Sequence, residues 1–184
     1  PQNCGEQRWH WGVQPYGPSL SRLVIKPWEG IRGSGDDIQS YFYQLKNHAS
    51  ALPRSCLGRR IPPGSYLEHG GSNSEGAYLA LKVIAIGSLN ASDVGQRVHE
   101  EVLKSHNCFR PQCRIQYGKP LPAGKTLEGV YQDDRGVLQI IPLYDIRRSS
   151  GLDKTLIVDG QKAYAAHNLP RSPAKAFGFG RAPE

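Results

Sequence analysis

The sequence predicts an α+β fold in which an antiparallel sheet has helices packed on one face. Short apolar runs typical of strands alternate with stretches of helical periodicity, in the order strand, helix, strand, helix, hairpin, helix, strand. Elements mixed in this way usually pack as two layers around one core. With 184 residues, the chain is long enough for one domain with a sizeable core.

The first 50 residues predict an irregular start, then a strand and a helix. Residues 1–30 are expected to be irregular apart from a strand at residues 20–25, with aromatic and basic residues interleaved. Such a set can grip a nucleic acid strand but more often packs a small satellite core. The next strand ends at Asp37, and a helix is expected to continue to about residue 49. The aromatic residues of the first stretch are Trp9, Trp11, Tyr16 and Trp28.

The middle of the chain predicts a loop, a buried strand and a helix. Residues 51–76 are rich in Pro, Gly, Ser and Arg, which is typical of a loop. Residues 77–86 form a continuous apolar run, which predicts a buried strand. Val94, Val98 and Val102 then recur every fourth residue, as expected for a helix with an apolar side toward the core.

The C-terminal part predicts a hairpin with two carboxylates at its tip. After a loop at residues 106–126, two apolar runs flank the Tyr-Gln-Asp-Asp sequence of residues 131–134. This pattern predicts a strand, a tight turn and a second strand over residues 128–143. A helix over residues 152–167 and a short strand at residues 176–179 complete the predicted fold.

Adjacent carboxylates at a hairpin tip also suggest a metal site. Asp133 and Asp134 repel each other, and in a buried turn one of them would stay protonated unless a cation were bound. Mg²⁺ suits hard oxygen ligands and takes one or two carboxylates together with water and substrate phosphate. A solvated turn would look the same locally, but a second acidic pair, Asp36 and Asp37, lies upstream at a predicted strand end.

Composition favours a polyanionic partner. The chain has 23 Lys and Arg residues against 16 Asp and Glu residues, a net charge of +7, although a solvated basic surface explains such a charge about as well. No run of 18 apolar residues is present, so no membrane association is expected. Four scattered cysteines without a CxxC pair are typical of free thiols, which predicts an intracellular location, in the cytoplasm or nucleus.

Four motifs, in this order, resemble those of reverse transcriptases. Residues 37–45 (DIQSYFYQL) resemble the first catalytic motif, in which an aromatic residue follows the Asp by five positions. Residues 84–96 (IAIGSLNASDVGQ) resemble the middle motif, and residues 131–134 resemble the Tyr-x-Asp-Asp motif. Residues 168–177 (NLPRSPAKAF) resemble a later motif whose Lys precedes a strand. The likeness covers about residues 22–179 and is closest to polymerases of the retroelement type.

The resemblance implies the palm subdomain of an RNA-directed DNA polymerase from a retrotransposon. Residues 1–30 would be a remnant of the fingers, and residues 31–184 would be the palm, with thumb and RNase H absent. Such a nucleotidyltransferase joins dNTPs to the 3′-hydroxyl of a primer on an RNA or DNA template, using two Mg²⁺ or Mn²⁺ ions. The expected partners are therefore a primed template and dNTPs, and the fragment alone need not be active. The oligomeric state stays open.

The resemblance also implies a catalytic and metal-binding set. Asp37 and Asp133 would bridge the two metal ions, and Asp134 would assist them. The carbonyl oxygen of Ile38 would add a metal ligand. Lys175 would protonate the leaving pyrophosphate.

Three further residues would form the substrate site. Phe42 would lie under the incoming sugar and exclude a 2′-hydroxyl, so that deoxynucleotides are preferred. Gly87 would let the backbone approach the template or the base pair, and Tyr131 would line the same site. Asp37 is chosen over Asp36 as the metal ligand because it places Phe42 at the aromatic position of the motif.

Two departures from the family pattern and two rival functions remain. Asp36 stands where many relatives have an apolar residue, and Arg135 stands where the second hairpin strand is usually apolar.

A catalytically inactive retroelement descendant, kept as a nucleic-acid-binding or assembly module, would retain the same motifs. An unrelated two-metal enzyme, such as a nuclease, would retain only the acids.

Overall fold

The computed structural model describes residues 14–70, 76–148 and 150–181. Among them, residues 42–91 form one compact unit, and residues 14–41 with 92–181 form a second, larger one. Trp9 and Trp11, two of the aromatic residues expected at the start of the chain, lie outside the described residues. The expected boundary between fingers and palm stays a prediction.

The described residues contain six strands and three α-helices, connected by turns and short 3-10 helices. None of these helices is both long enough and apolar enough to cross a membrane. In chain order the elements are β1 (Glu29–Asp37), α1 (Tyr41–Gln44), β2 (Cys56–Ile61), β3 (Ala77–Ala80), α2 (Ala91–Ser105), β4 (Thr126–Tyr131), β5 (Asp134–Pro142), α3 (Leu152–Ala166) and β6 (Phe177–Arg181).

The larger unit is built on a four-stranded sheet. Its strands lie in the order β4-β5-β1-β6, and every neighbouring pair is antiparallel. Helix α2 comes between β1 and β4 in the chain, and α3 comes between β5 and β6, which gives the β-α-β-β-α-β order of split β-α-β folds. The expected α+β class with an antiparallel sheet is confirmed, as are the hairpin, α3 and the last strand.

Strand register divides this sheet into two faces, because directly opposed residues of antiparallel strands point to the same side. On one face Arg32 and Ser34 bind Asp153 of α3, and Arg135 donates to the carbonyl oxygen of Leu156 in the same helix. This helix face comprises Arg32, Ser34 and Asp36 of β1, Glu128 and Val130 of β4, and Arg135 and Val137 of β5. The distal face comprises Gly33, Gly35 and Asp37 of β1, Leu127, Gly129 and Tyr131 of β4, Asp134, Gly136 and Leu138 of β5, and Phe177 and Phe179 of β6.

The helix face is held by buried ion pairs as well as by apolar packing. Arg135 and Glu128 are both completely or almost completely buried and pair with each other, and Arg135 also donates to two main-chain carbonyl oxygens. Asp36 receives two hydrogen bonds from Arg171. These partners explain the two charged residues that depart from the family pattern, because a buried charge is tolerated when it is paired and hydrogen-bonded.

The smaller unit differs most from the sequence-based expectations. The apolar run at residues 77–86 is not one buried strand: it contains the short strand β3, in which Tyr78 and Leu79 are more than half exposed. β3 pairs with β2, which lies inside the stretch expected to be a loop. β2 and β3 form a sheet of only two strands. Two strands alone enclose little core, so the apolar side chains of β3 stay exposed within the unit.

Two predictions near the start of the chain are also wrong. The predicted strand at residues 20–25 is replaced by a 3-10 helix at Gly17–Arg22, which has Pro in its first turn, where a fixed φ favours helical geometry. The predicted helix to residue 49 ends at Gln44, because Asn47 binds the main chain of residues 81–83 in an extended arrangement.

Helix α2 lies where predicted, but its buried residues include polar ones as well as Val102 and Leu103. Val102 is buried, whereas Val94 and Val98 are only half-buried. The most deeply buried positions include Gln96 and His99, both 0% exposed. The apolar period located the helix correctly but did not identify its core side.

Candidate metal centre

Three carboxylates from two segments of the larger unit meet at one end of the sheet. Asp37 is the last residue of β1 and lies directly opposite Asp134, the first residue of β5. Asp133 lies in the two-residue turn between β4 and β5. One carboxylate oxygen from each of the three lies within 4.8 Å of the others. The three acids expected to hold metal are therefore brought together.

Only one of the two carboxylate oxygens of Asp37 has a hydrogen-bond partner among the described residues. Its side chain is almost fully buried, and Oδ2 accepts a hydrogen bond of 2.9 Å from Lys175. Its other oxygen, Oδ1, is buried with no hydrogen-bond partner among the described residues. A buried oxygen without a partner is unfavourable, and a divalent cation held jointly with the other two acids would satisfy it. The residues present therefore fit a Mg²⁺ or Mn²⁺ ion.

The crowding of the acids perturbs their titration. Partial desolvation by its neighbours, a hydrogen bond with the Asp37 carboxyl and the charge of Asp133 together raise the pKa of Asp134 to about 6, against the opposing effect of Lys175, although the residue is exposed to solvent. Burial would raise the pKa of Asp37 too, but hydrogen bonds from Lys175 and Ser172 outweigh it, and the pKa is lowered. Since the two acids interact, they titrate as a pair, and a bound cation would favour full ionisation.

Lys175 supplies the positive charge nearest to Asp37. It ends the 3-10 helix Pro173–Lys175 just before β6, and its side chain is 64% exposed apart from the ion pair. The hydrogen bond and the charge of Asp37 raise the pKa of Lys175, so the ammonium stays protonated at neutral pH. An exposed lysine with one ionic contact can leave that contact for another anion.

Asp36 is directed away from this cluster. As neighbours on a strand, Asp36 and Asp37 point to opposite faces. Asp36 is buried on the helix face, where its two oxygens accept from Arg171 at 2.7 and 3.1 Å. The choice of Asp37 as the metal-facing residue agrees with this arrangement.

The other expected site residues fall into two groups. Ile38 is fully buried, and its N–H donates to the carbonyl oxygen of Asp133 at 3.0 Å, which ties the end of β1 to the hairpin turn. Tyr131 lies opposite Asp134 on the distal face and is 46% exposed. Phe42 and Gly87 belong to the smaller unit, so their place in a shared site stays a prediction.

A groove on the distal face reaches one of the three acids. It has a volume of about 470 Å³ and an apolar lining that includes Pro15, Leu20 and Leu138, and it reaches Asp134. Its floor includes Gly136, above which a side chain would meet no atom within 4 Å. The groove therefore leaves open space above Gly136, and Asp134 lies in its lining.

The turn that carries Asp133 is held by three polar residues whose part in the site was not foreseen. Ser92, Gln96 and His99 of α2 all hydrogen-bond to Gln132, the first residue of the turn. Their spacing of four and three residues places them on one side of the helix, and that polar spacing was the available signal. The valine period of the same helix predicted Val94, Val98 and Val102 as its core positions instead.

Comparisons of the chain with protein-family models and with curated proteins find no match.

Proposed function

We propose that this chain is the palm of an RNA-directed DNA polymerase of the retroelement type. The observation that carries the proposal is the meeting of Asp37, Asp133 and Asp134, together with the buried, unpartnered Oδ1 of Asp37. Nucleotidyl transfer needs carboxylates from separate segments at one point, and these acids come from a strand end and a hairpin turn.

The carboxylates and Lys175 would have separate roles in nucleotidyl transfer. Asp37 and Asp133 would hold both divalent ions, with Asp134 and the Ile38 carbonyl completing the ligand set. Bound ions of this kind activate a 3′-hydroxyl and stabilise a triphosphate and its leaving group. Lys175, already protonated beside Asp37, would move to the leaving pyrophosphate and donate its proton. The groove beside Asp134 would receive the primer end.

The fold and the motif order favour a polymerase over an unrelated nuclease. The first motif begins at the last residue of β1, and the Tyr-x-Asp-Asp motif spans the turn from β4 into β5, the direct neighbour of β1. The motif with Lys175 leads into β6 on the other side of β1. A nuclease would account for the acids alone. It would not explain why the fourth motif places Lys175 in hydrogen-bond contact with Asp37.

A second candidate is a catalytically inactive module that binds nucleic acid or assembles with other chains. The ion pair between Lys175 and Asp37 favours it, because the ammonium already compensates one carboxylate charge without metal. In that case Lys175 would be a permanent structural counter-ion.

Primer extension distinguishes these functions. The chain is incubated with a primed RNA template, dNTPs and Mg²⁺ or Mn²⁺, alongside Asp37→Asn, Asp133→Asn and the control Asp159→Asn, a surface carboxylate paired with Lys162 on α3. Extension should fall at least about a hundredfold in the two site variants and stay unchanged in the control, since only the site variants lose metal ligands.

Other outcomes identify the rivals. Template binding without extension, together with Mn²⁺ binding that is equal in all folded variants, would contradict the polymerase and support the inactive module. Shortening of the template that depends on Asp37 and Asp133 would support a nuclease.

A further inference from the structure

The turn that carries Asp133 has an unfavourable backbone conformation. Gln132 has a φ of +54°, a left-handed value that residues other than glycine and asparagine rarely adopt. It is the first residue of a two-residue hairpin loop, a position where positive φ normally selects Gly, Asn or Asp. Such a conformation persists only where the surroundings hold it, and it is often found at functional sites.

Helix α2 supplies the contacts that hold this residue. Gln96 Oε1 accepts a hydrogen bond of 2.9 Å from the Gln132 N–H, and His99 Nδ1 lies 2.6 Å from the Gln132 carbonyl oxygen. Ser92 Oγ accepts from the Gln132 side chain at 3.1 Å. Both main-chain groups and the side chain of Gln132 are therefore bound by one side of one helix.

These side chains are themselves fixed in place. Gln96 Nε2 donates to the Val130 carbonyl oxygen at 2.6 Å, so one amide grips the hairpin on both sides of Tyr131. The carbonyl oxygen of Gln132 can only accept, so His99 Nδ1 carries the proton, and Nε2 accepts from the Tyr164 hydroxyl at 2.7 Å. Burial lowers the pKa of His99 to about 4, so this neutral form is kept at pH 7.

The contacts act directly on the main chain of Asp133. His99 binds the carbonyl of the peptide that precedes Asp133, and Ile38 donates to the carbonyl oxygen of Asp133 itself at 3.0 Å. The peptide units on both sides of the Asp133 Cα are thus anchored. With both planes fixed, the Cα–Cβ bond of Asp133, from which the carboxylate extends, is fixed in direction as well.

We propose that Gln96 and His99, assisted by Ser92, are positioning residues that hold Gln132 in its strained conformation and thereby aim the Asp133 carboxylate at the metal site. This inference rests on the proposed function for its metal, but the positioning itself is a property of the metal-free chain. None of the three residues belongs to the acidic cluster that would hold the ion.

Two measurements on the same variants test the inference. The first is Mn²⁺ affinity by titration calorimetry, and the second is hydrogen exchange of the Ile38 N–H by NMR, which reports the bond to Asp133 without metal. His99→Phe keeps a buried ring but removes both hydrogen bonds. The control is Val102→Ala, which removes buried apolar volume from the same helix. All assays are run where each variant is fully folded.

The positioning role predicts a selective effect. His99→Phe should weaken Mn²⁺ binding by about 10- to 100-fold, as removal of partners behind metal ligands usually does. It should also speed exchange of the Ile38 N–H by at least about tenfold relative to Val102→Ala. Gln96→Leu, which frees the Gln132 N–H, should act in the same direction.

A rescue variant separates positioning from general structural damage. Gln132→Gly makes the left-handed conformation favourable without the helix contacts. In the His99→Phe background it should recover most of the lost Mn²⁺ affinity, and by itself it should leave the affinity nearly unchanged. A merely structural role for His99 would give no such recovery.

The outcomes are separable from those of the proposed function. Equal affinity and equal exchange in His99→Phe and Val102→Ala overturn the inference, whatever the protein does. Failure of the unaltered chain to bind Mn²⁺ overturns the proposed function, and the exchange of the Ile38 N–H then decides the inference alone. Weak binding in His99→Phe without rescue by Gln132→Gly contradicts the strain mechanism.

Discussion

Replacing Asp134 with Asn should stabilise the metal-free protein at alkaline pH. Asp134 stands against the carboxylates of Asp37 and Asp133, and its pKa rises from 3.8 to about 6. An acid whose pKa is higher in the folded state destabilises the fold once it ionises, so the penalty is absent below about pH 4 and complete above about pH 6. Asp134→Asn removes that charge and keeps the shape.

The magnitude follows from the shift. A change from 3.8 to about 6 is roughly two pKa units, or about 3 kcal/mol at full strength. Asp134 is exposed, and screening by solvent reduces the expected gain to about 1 kcal/mol. For a chain of this size, about 1 kcal/mol corresponds to a rise in Tm of about 2–4 °C.

The assay is urea unfolding in the presence of a chelator at pH 4.5 and pH 8, followed by circular dichroism. The low pKa of His99 makes the whole protein less stable in acid, but this contribution is common to both variants and cancels in their difference. The free energy of unfolding of Asp134→Asn should exceed that of the unaltered protein at pH 8 and approach it at pH 4.5. Saturating Mg²⁺ at pH 8 should reverse the order, because the ion stabilises the chain that binds it more tightly.

Two results would refute this reasoning. A gain that is equal at both pH values would mean that charge repulsion is not its source. A loss of stability at pH 8 without metal would mean that the Asp134 carboxylate is a net structural contact rather than a cost of the site.

Three further predictions concern other parts of the molecule. Glu128→Gln leaves the buried Arg135 without its counter-charge and should lower the free energy of unfolding by about 3–5 kcal/mol, measured by urea titration, and a change below about 1 kcal/mol would contradict the buried pair. Lys175→Met removes the ammonium that competes for Asp37, so Mn²⁺ affinity should rise about fivefold in calorimetry while extension slows; weaker binding would contradict the competition. Phe42→Ala should lower the ratio of kcat/KM for deoxy- over ribonucleotides, and an unchanged ratio in a folded variant would make Phe42 an ordinary core residue.

The sequence predicted the parts of the fold that depend on local patterns. The hairpin, α3 and the last strand lie within two residues of their expected bounds, because turn residues and apolar periods mark such elements directly. The choice between Asp36 and Asp37 followed from the motif, because Asp37 places Phe42 at its aromatic position, and the alternation of side chains along β1 agrees with that choice.

The parts that depend on long-range partners were not predictable. Asp36 and Arg135 are acceptable in the core only because Arg171 and Glu128 reach them, and nothing in the local sequence announces those pairings. β2 went unrecognised because its residues are exposed and its partner β3 is distant from it in the sequence. The grip of α2 on Gln132 combines residues more than 30 positions apart, so it is visible only in three dimensions.

The most direct test of the central claim is the electron paramagnetic resonance spectrum of Mn²⁺ bound with a primed template and a non-hydrolysable dNTP. The account predicts two ions about 3.5–4 Å apart, which gives the spectrum of a magnetically coupled pair. Asp37→Asn and Asp133→Asn should abolish the coupled signal, and Asp159→Asn should keep it. A spectrum of isolated ions only, or a coupled pair that survives the loss of either Asp37 or Asp133, would contradict the assignment of these carboxylates to a two-metal polymerase site.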